Sequence, residues 1–398
     1  ADFLGLSGLL VKSATEMVNT MGVLHEAGID IPIFVGGAAL TEKFTVNKIE
    51  PAYKNNIVIY SRDAMTALAD LNKMIDEKKF EEFKEYLQKR RELVTIKDAK
   101  KLEQLKVKPT VSDIKDADGT FDFSKVELPK YDFEKIYKPQ TLNKQIITNI
   151  KAKDVFPFIN LQMLIGKHLG MKWIVNNLIE KQDPRTIKLY NEILDIIENG
   201  DEYFDIKAIY KFFPVRRKAG ERKEDFKIEV LSDDLSTVLE TFDFPRQKYG
   251  QYLSLNDYVS PDGIDYIGFF VATAGEKSRL VSNELKEKGE FYRGHIVNSV
   301  GLELAEATSE YIHKMMRQDV GIIDKDITLN EILSAQYQGN RYSFGYPACP
   351  DLSDQRKLFN LLKPERYGIS LTEEFMMYPE ATVSAIVFSQ PFCKYFNM

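Results

Sequence analysis

Ten consecutive residues near the C-terminal end read Arg341-Tyr-Ser-Phe-Gly345-Tyr346-Pro347-Ala-Cys349-Pro350. An arginine, a permissive glycine and two prolines make a stiff loop. Such a loop can fix backbone amides against a small ligand while the guanidinium forks a carboxylate. A structural proline-rich turn carrying a surface arginine accounts for the same residues equally well. Glu306 lies beside the apolar stripe of a long helical pattern, where a solvated flanking carboxylate is the plainer reading. Asp154 precedes Val-Phe-Pro-Phe, as a helix or turn cap would. An Asp, a Glu and an Arg brought together would suit a zwitterionic amino-acid moiety, with carboxylates for the ammonium and the arginine for the carboxylate. Tyr346 and Tyr395 can face a cation through their rings. Spacing alone does not bring these side chains to one place.

A second constellation is made of small residues. One strand pattern ends in Ser7-Gly8-Leu9 and the next in Gly36-Gly37. Both stand where strands of a parallel sheet run out, the edge at which such sheets take ligands. Ordinary strand-to-helix turns explain them as well. Other signatures are missing. His25, His168, His295 and His313 are far apart, and no H-x-H, HExxH or C-x-x-C spacing occurs, so no metal site is expected. No P-loop or dinucleotide fingerprint is present, and Gly5-Leu6-Ser7-Gly8 falls one residue short of a nucleophile elbow.

The elements that must position these residues are set in a chain of 398 residues, 44% hydrophobic and 29% charged. That is enough for two or three domains and rules out a disordered chain. The net charge of −6 argues against nucleic acid as the main partner. No run of 18 apolar residues occurs, so no membrane span is expected. Cys349 and Cys393 give no disulfide framework and fit a reducing, cytoplasmic setting. The first ten residues, ADFLGLSGLL, lack a signal peptide's basic region and read at once as a strand, as in a chain cut from something longer.

Residues 1–70 alternate strand and helix: an apolar run Phe3–Leu10, helical spacing over Thr15–Ala27, strands at Ile31–Val35 and Ile57–Tyr60, and a helix from Asp63 to Met74. This rhythm predicts a parallel sheet with helices on its faces, but with only three strands, as if half of a domain. Lys73–Lys108 turns to Lys and Glu with a thin stripe of Phe80, Phe83 and Leu87, the pattern of a solvent-facing helical connector. Pro109–Gln145 reads as an extended strap lying over a surface. Residues 146–398 read as one α+β domain. A helix starts at Asp183-Pro184 and stops near Gly200, strands at Ala208–Val215 and Lys227–Leu231 form an antiparallel pair, and Ile264–Thr273 and Ala381–Ser389 are further strands. The longest helix runs from about Arg293 to Arg317 with Ile296, Val300, Leu304, Ala307, Tyr311 and Met315 as its core stripe.

With these motifs in view, the Pro-Ala-Cys-Pro loop with Arg341 and Gly345-Tyr346 before it resembles the activation domain of the cobalamin-dependent methionine synthase family. DYIGFFVATAG at 265–275, the pattern AEAxxEYxH at 305–313 and Lys394-Tyr395-Phe396 extend the likeness over 146–398. Residues 1–70 resemble the second half of that family's cobalamin-binding domain through Ser7-x-Leu9 and Gly36-Gly37. The resemblance implies an antiparallel α+β activation domain (146–398), preceded by a partial α/β Rossmann-like cobalamin domain (1–75) and a connector and strap (76–145).

The resemblance also implies a function. The family passes a methyl group from methyltetrahydrofolate through cobalamin to homocysteine, and reductive activation with S-adenosylmethionine and a flavodoxin-like or flavoprotein reductant restores the inert oxidised cofactor. The ligand pocket carries over onto Asp154, Glu306, Arg341, the backbone of Ser343, Gly345, Tyr346, Tyr395 and the adjacent Phe396. Around cobalamin it carries over onto Ser7, Val11, Ser13, Gly36, Gly37 and Ala64, with Ser13 ending a relay below cobalt. The family's cobalt-ligating histidine segment is absent from these 398 residues, and zinc would belong to a homocysteine module that is also absent. The other modules of the enzyme are implied partners. Val11 replaces a usual Thr, Ser343-Phe344 replaces Ala-Pro, and Ala335 replaces a common Glu. A rival reading is a docking module that caps cobalamin or binds a redox partner without binding S-adenosylmethionine.

Overall fold

In a computed structural model, residues 1–8, 11–37, 40–62, 64–105, 122–171, 173–220, 226–324 and 327–397 are described. The chain forms two compact units, residues 1–121 and 122–398. The first is built on β1 (Leu4–Ser7), β2 (Ile33–Gly36) and β3 (Val58–Ser61), parallel and in the order β1-β2-β3. Parallel neighbours need crossovers. They are α1 (Val11–Glu26) and then α2 (Glu42–Phe44), a π-helical turn and α3 (Glu50–Ala52); α4 (Ala64–Ile75) and α5 (Glu77–Leu105) follow β3.

Alternation along the strands sends Ile33, Val35 and Val58 to one face with Met17, Met21 and Ile49, and Phe34 and Ile59 to the other with Phe83 and Leu87. The stripe on α5 is therefore more than the solvent-facing connector its composition predicts. It closes the second face of this sheet. β1 keeps a half-exposed pattern at the sheet edge.

The second unit has a sheet of seven strands among the described residues. They are β4 (Gln145–Ile147), β5 (Lys207–Ala219), β6 (Phe226–Leu231), β7 (Val238–Phe242), β8 (Asp265–Thr273), β9 (Asn340–Tyr342) and β12 (Thr382–Phe388). The order is β7-β6-β5-β8-β12-β9, with β4 on β5, and every pairing is antiparallel. β10 (Ser370–Leu371) and β11 (Met377–Tyr378) pair separately. The helices are α6 (Ala152–Val155), α7 (Val175–Glu180), α8 (Pro184–Glu198), α9 (Gly200–Tyr203), α10 (Lys277–Glu287), α11 (Phe291–Asp319), α12 (Leu329–Leu333) and α13 (Gln355–Leu362).

The start of α8 is set by chemistry: Asp183 accepts from the Thr186 amide at 2.9 Å and Pro184 takes a position that needs no donor. Period-two alternation splits the sheet between two cores. Tyr210, Phe212, Phe270, Ala385 and Val387 face α8 and α11, while Ile209, Phe213, Phe269, Ile386 and Phe388 face α13 and the loops. From residue 122 the extended segment lies on this unit, with Tyr131 stacked on Phe392 at 4.4 Å and Lys144 donating to the Leu362 carbonyl at 2.9 Å. Residues 109–121 of the expected strap lie outside the described residues.

Candidate functional site

The position of Arg341 follows from strand register. In β9 it stands opposite Val387 of β12, and Tyr342 stands opposite Ile386. Opposed residues of an antiparallel pair share a face. Val387 belongs to the core under α11, so Arg341 projects toward that helix and Tyr342 away from it. The helix answers with a polar stripe beside its apolar one. Glu303, Glu306, Glu310, His313 and Arg317 follow at intervals of three, four, three and four, which places them on one face.

Arg341 Nη1 donates to Glu310 Oε1 at 2.5 Å and to Tyr337 Oη at 3.2 Å. Burial works against its charge, but Glu310, Tyr337 and Glu306 outweigh it and hold the guanidinium pKa above its ordinary value. Glu306 is open to solvent, yet desolvation raises its carboxyl pKa against the pull of Arg341. Tyr346 lies within the field of Glu306, its phenol pushed up by desolvation and then by that carboxylate. The Tyr395 phenol is pushed up to about 12 by desolvation, Cys349 and Tyr346, with Arg341 opposing. Tyr346 and Tyr395 remain 42% and 50% exposed. Tyr395 is placed from below. It stacks on Tyr342 at 5.9 Å, and the hydroxyls of Tyr342 and Tyr258 donate to the Lys394 carbonyl at 2.8 and 3.2 Å.

The loop after β9 is tight. Gly345 has φ +84°, a conformation that favours glycine, and a Cβ there would press on Leu352 Cδ1 at 3.0 Å. The expectation of amides presented to a ligand needs correction at two positions. The Gly345 amide donates to Cys349 O and the Cys349 amide to Tyr346 O, both at 3.0 Å. The Ser343 carbonyl accepts from Cys349 Sγ at 2.8 Å, which leaves its second lone pair without a protein donor among the described residues. Burial holds this thiol well above its ordinary range.

Other expected residues fall elsewhere. Asp154 is exposed on α6, and its carboxylate makes no bond to Arg341. Phe396 is buried in the core on the far face of the sheet, where an aromatic side chain gains most from leaving water. Phe344 is there too, stacked on Phe242 at 6.0 Å. Ala335 is exposed just past α12 at φ +52°. Sequence reasoning missed Glu310 and Tyr337, the actual partners of Arg341. Glu310 stands inside the AEAxxEYxH pattern, and three-four periodicity of its polar residues was the available signal; nothing local marks Tyr337. His313, in the same pattern, is fully buried with neither ring nitrogen partnered, and desolvation holds its pKa well below the ordinary value.

In the first unit, Ser7, Gly36 and Ser61 stand side by side at the carboxyl edge of the parallel sheet. A Cβ on Gly36 would lie 2.5 Å from the Ser61 carbonyl oxygen, and one on Gly37 (φ +112°) 2.3 Å from the Gly8 oxygen. Neighbouring backbone by itself accounts for both glycines. Ser61 Oγ is buried without a partner at the same edge, which does fit a polar ligand group there. The side chains of Val11, Ser13 and Ala64 lie outside the described residues; their backbones open α1 and α4. Among the described residues no group of three His, Cys, Asp or Glu is placed to hold a metal.

A restrained arginine, a carboxylate without an ion pair and two half-exposed tyrosines thus lie within one another's fields on an antiparallel α+β domain. The chain belongs to the family of vitamin B12 dependent methionine synthase activation domains, whose family model matches residues 146–398. It is 26% identical over 424 residues to a methionine synthase of Mycobacterium tuberculosis (strain ATCC 25618 / H37Rv), covering 100% of this chain and 35% of that protein. To a methionine synthase of Mycobacterium leprae (strain TN) it is 26% identical over 434 residues, covering 100% of this chain and 34% of that protein. The chain thus spans about a third of the length of these relatives. The fold is similar to a crystal structure of the MetH reactivation domain bound to AdoHcy, with a TM-score of 0.59, 23% identity, and 72% of this chain and 87% of that one covered. No helix among the described residues is long and apolar enough to cross a membrane.

Proposed function

We propose that residues 122–398 bind S-adenosylmethionine and present its methyl group for reductive reactivation of cobalamin in a methionine synthase. The observation that carries this is Arg341, restrained through Nη1 by Glu310 and Tyr337, with Glu306, Tyr346 and Tyr395 in its neighbourhood. Arg341 forks the ligand carboxylate, Glu306 takes the ammonium, and the two rings flank the sulfonium through their negative faces. The site needs no general base, because holding the methyl carbon in line for attack is what it contributes. Asp154, on a helix packed against α11, would close the amino-acid end from outside.

Residues 1–75 would be the second half of a cobalamin-binding domain, with Ser7 and Ser61 at the cofactor's nucleotide tail and 76–145 as connector and strap. Cobalamin, when bound, supplies the metal centre that accepts the methyl group. The electron comes from a flavodoxin-like or flavoprotein reductant. Zinc and homocysteine binding belong to other modules of the parent enzyme, which works in the cytoplasm, and this chain alone should not turn over homocysteine.

Calorimetric titration of S-adenosylmethionine into the chain, with Arg341→Ala as control, tests the reading. Saturable binding that the substitution weakens by more than about tenfold supports it, a size set by loss of a charge-assisted fork. No binding by the folded protein would overturn it and leave the docking module.

A further inference from the structure

Two carboxylates on α11 lie within the field of Arg341, and only one of them binds it. Glu310 accepts from Nη1 at 2.5 Å, while Glu306, one turn earlier, makes no ion pair with the guanidinium. Tyr337 completes the restraint. Its hydroxyl accepts from the same Nη1 at 3.2 Å and donates to Glu310 Oε2 at 3.4 Å. The Tyr337 ring is itself held, with the Arg317 guanidinium 4.0 Å from its centroid and the His313 ring edge-on at 5.2 Å. Arg317 is fixed in turn by a buried ion pair with Asp324. Glu310, His313 and Arg317 all stand on α11, so the restraint is built on a rigid element. Nε and Nη2 of Arg341 have no protein partner among the described residues.

We infer that Glu310 and Tyr337 are positioning residues: by engaging Nη1 they turn the Nε/Nη2 edge of Arg341 toward the ligand's carboxylate and keep its charge off Glu306, which stays free for the ammonium. This rests on the S-adenosylmethionine reading and deepens it into a rule of selectivity. A guanidinium between two carboxylates pairs with whichever is better placed. Without the Glu310 charge Arg341 would swing to Glu306, and both ends of the amino-acid moiety would lose their partner at once. The cluster of two carboxylates and one guanidinium carries a net charge of −1, which complements the net +1 of a sulfonium amino acid.

The test compares S-adenosylmethionine with its decarboxylated analogue by calorimetry on the whole chain, in wild type, Glu310→Gln and Tyr337→Phe. Glu310→Gln keeps shape and acceptor but removes the charge. Wild type should prefer the carboxylate-bearing ligand by about tenfold or more, the worth of a bidentate charged contact. In Glu310→Gln that preference should fall to near unity, and in Tyr337→Phe by about threefold, the worth of one hydrogen bond. A generally damaged site would weaken both ligands alike and leave the preference intact. An unchanged preference in the variants, with wild-type binding present, overturns this inference alone. Absence of any wild-type binding overturns the functional reading and this inference with it. Should Glu310→Gln not fold, Tyr337→Phe decides by itself.

Discussion

Two titrating side chains on α11 both favour the higher pH, one through binding and one through stability. Glu306 must be ionised to hold an ammonium, and desolvation raises its pKa above the ordinary carboxylate value. Ligand affinity should therefore be full at neutral pH and fall on acidification with a midpoint above the usual glutamate value. Titrations at stepped pH should show this fall in wild type and lose it in Glu306→Gln, which should bind weakly throughout. His313 bears on stability instead. Its pKa is depressed in the folded chain by desolvation and by the charges of Arg317 and Arg341, so below about pH 6.5 the unfolded chain binds a proton that the folded one does not. Stability is then complete above that pH and is lost below it, by about 1.4 kcal/mol per pH unit until the folded pKa is reached. Urea denaturation at pH 5 and pH 7 should show the slope, and His313→Leu should abolish it. With neither ring nitrogen bonded, that substitution should cost little at neutral pH.

The loop after β9 joins two surfaces that its sequence does not distinguish. Alternation in β9 sends Arg341 to the α11 side and Tyr342 to the other, and Phe344 continues into the far core with Phe242. Phe344 is thus a packing residue, although as a departure from the family pattern it was the natural suspect for lost binding. Phe344→Ala should cost about 3–5 kcal/mol in urea denaturation, the usual range for a buried phenylalanine. At temperatures where the variant is folded, ligand affinity should change far less than in Arg341→Ala. Gly345→Ala meets both a positive φ and Leu352, and should lose about 1 kcal/mol or more together with the tyrosine placement.

Each of the two units has its own cores: Met21, Val35 and Val58 with Phe34 and Phe83 in one, and the two faces of the antiparallel sheet in the other. No core cluster among the described residues draws on both. Residues 122–398 produced alone should therefore fold and bind S-adenosylmethionine as the whole chain does, within about twofold, because Arg341, Glu306, Glu310, Tyr337, Tyr346 and Tyr395 all belong to them. Calorimetry on both chains checks this. The three-stranded sheet, with β1 half-exposed at its edge, should show weaker hydrogen-exchange protection than β5 and β8, which are bonded on both sides.

Periodicity and local chemistry were enough to read the parallel β-α alternation of 1–70, the N-terminal cap of α8, the antiparallel β5–β6 pair and the core stripe of α11. These depend on neighbours within a few residues, and hydrophobic spacing records them directly. Motif likeness also brought Arg341, Glu306, Tyr346 and Tyr395 into one list before any geometry was known. What the list lacked was decided by tertiary contact. Strand register set the face on which Arg341 lies, and packing turned Phe396 and Phe344 inward. The guanidinium's partners, Glu310 and Tyr337, come from a helix and a loop 31 and 4 residues away in sequence. Which of several carboxylates an arginine reaches is a question of distance across a folded interface, and composition and spacing along the chain carry no term for it.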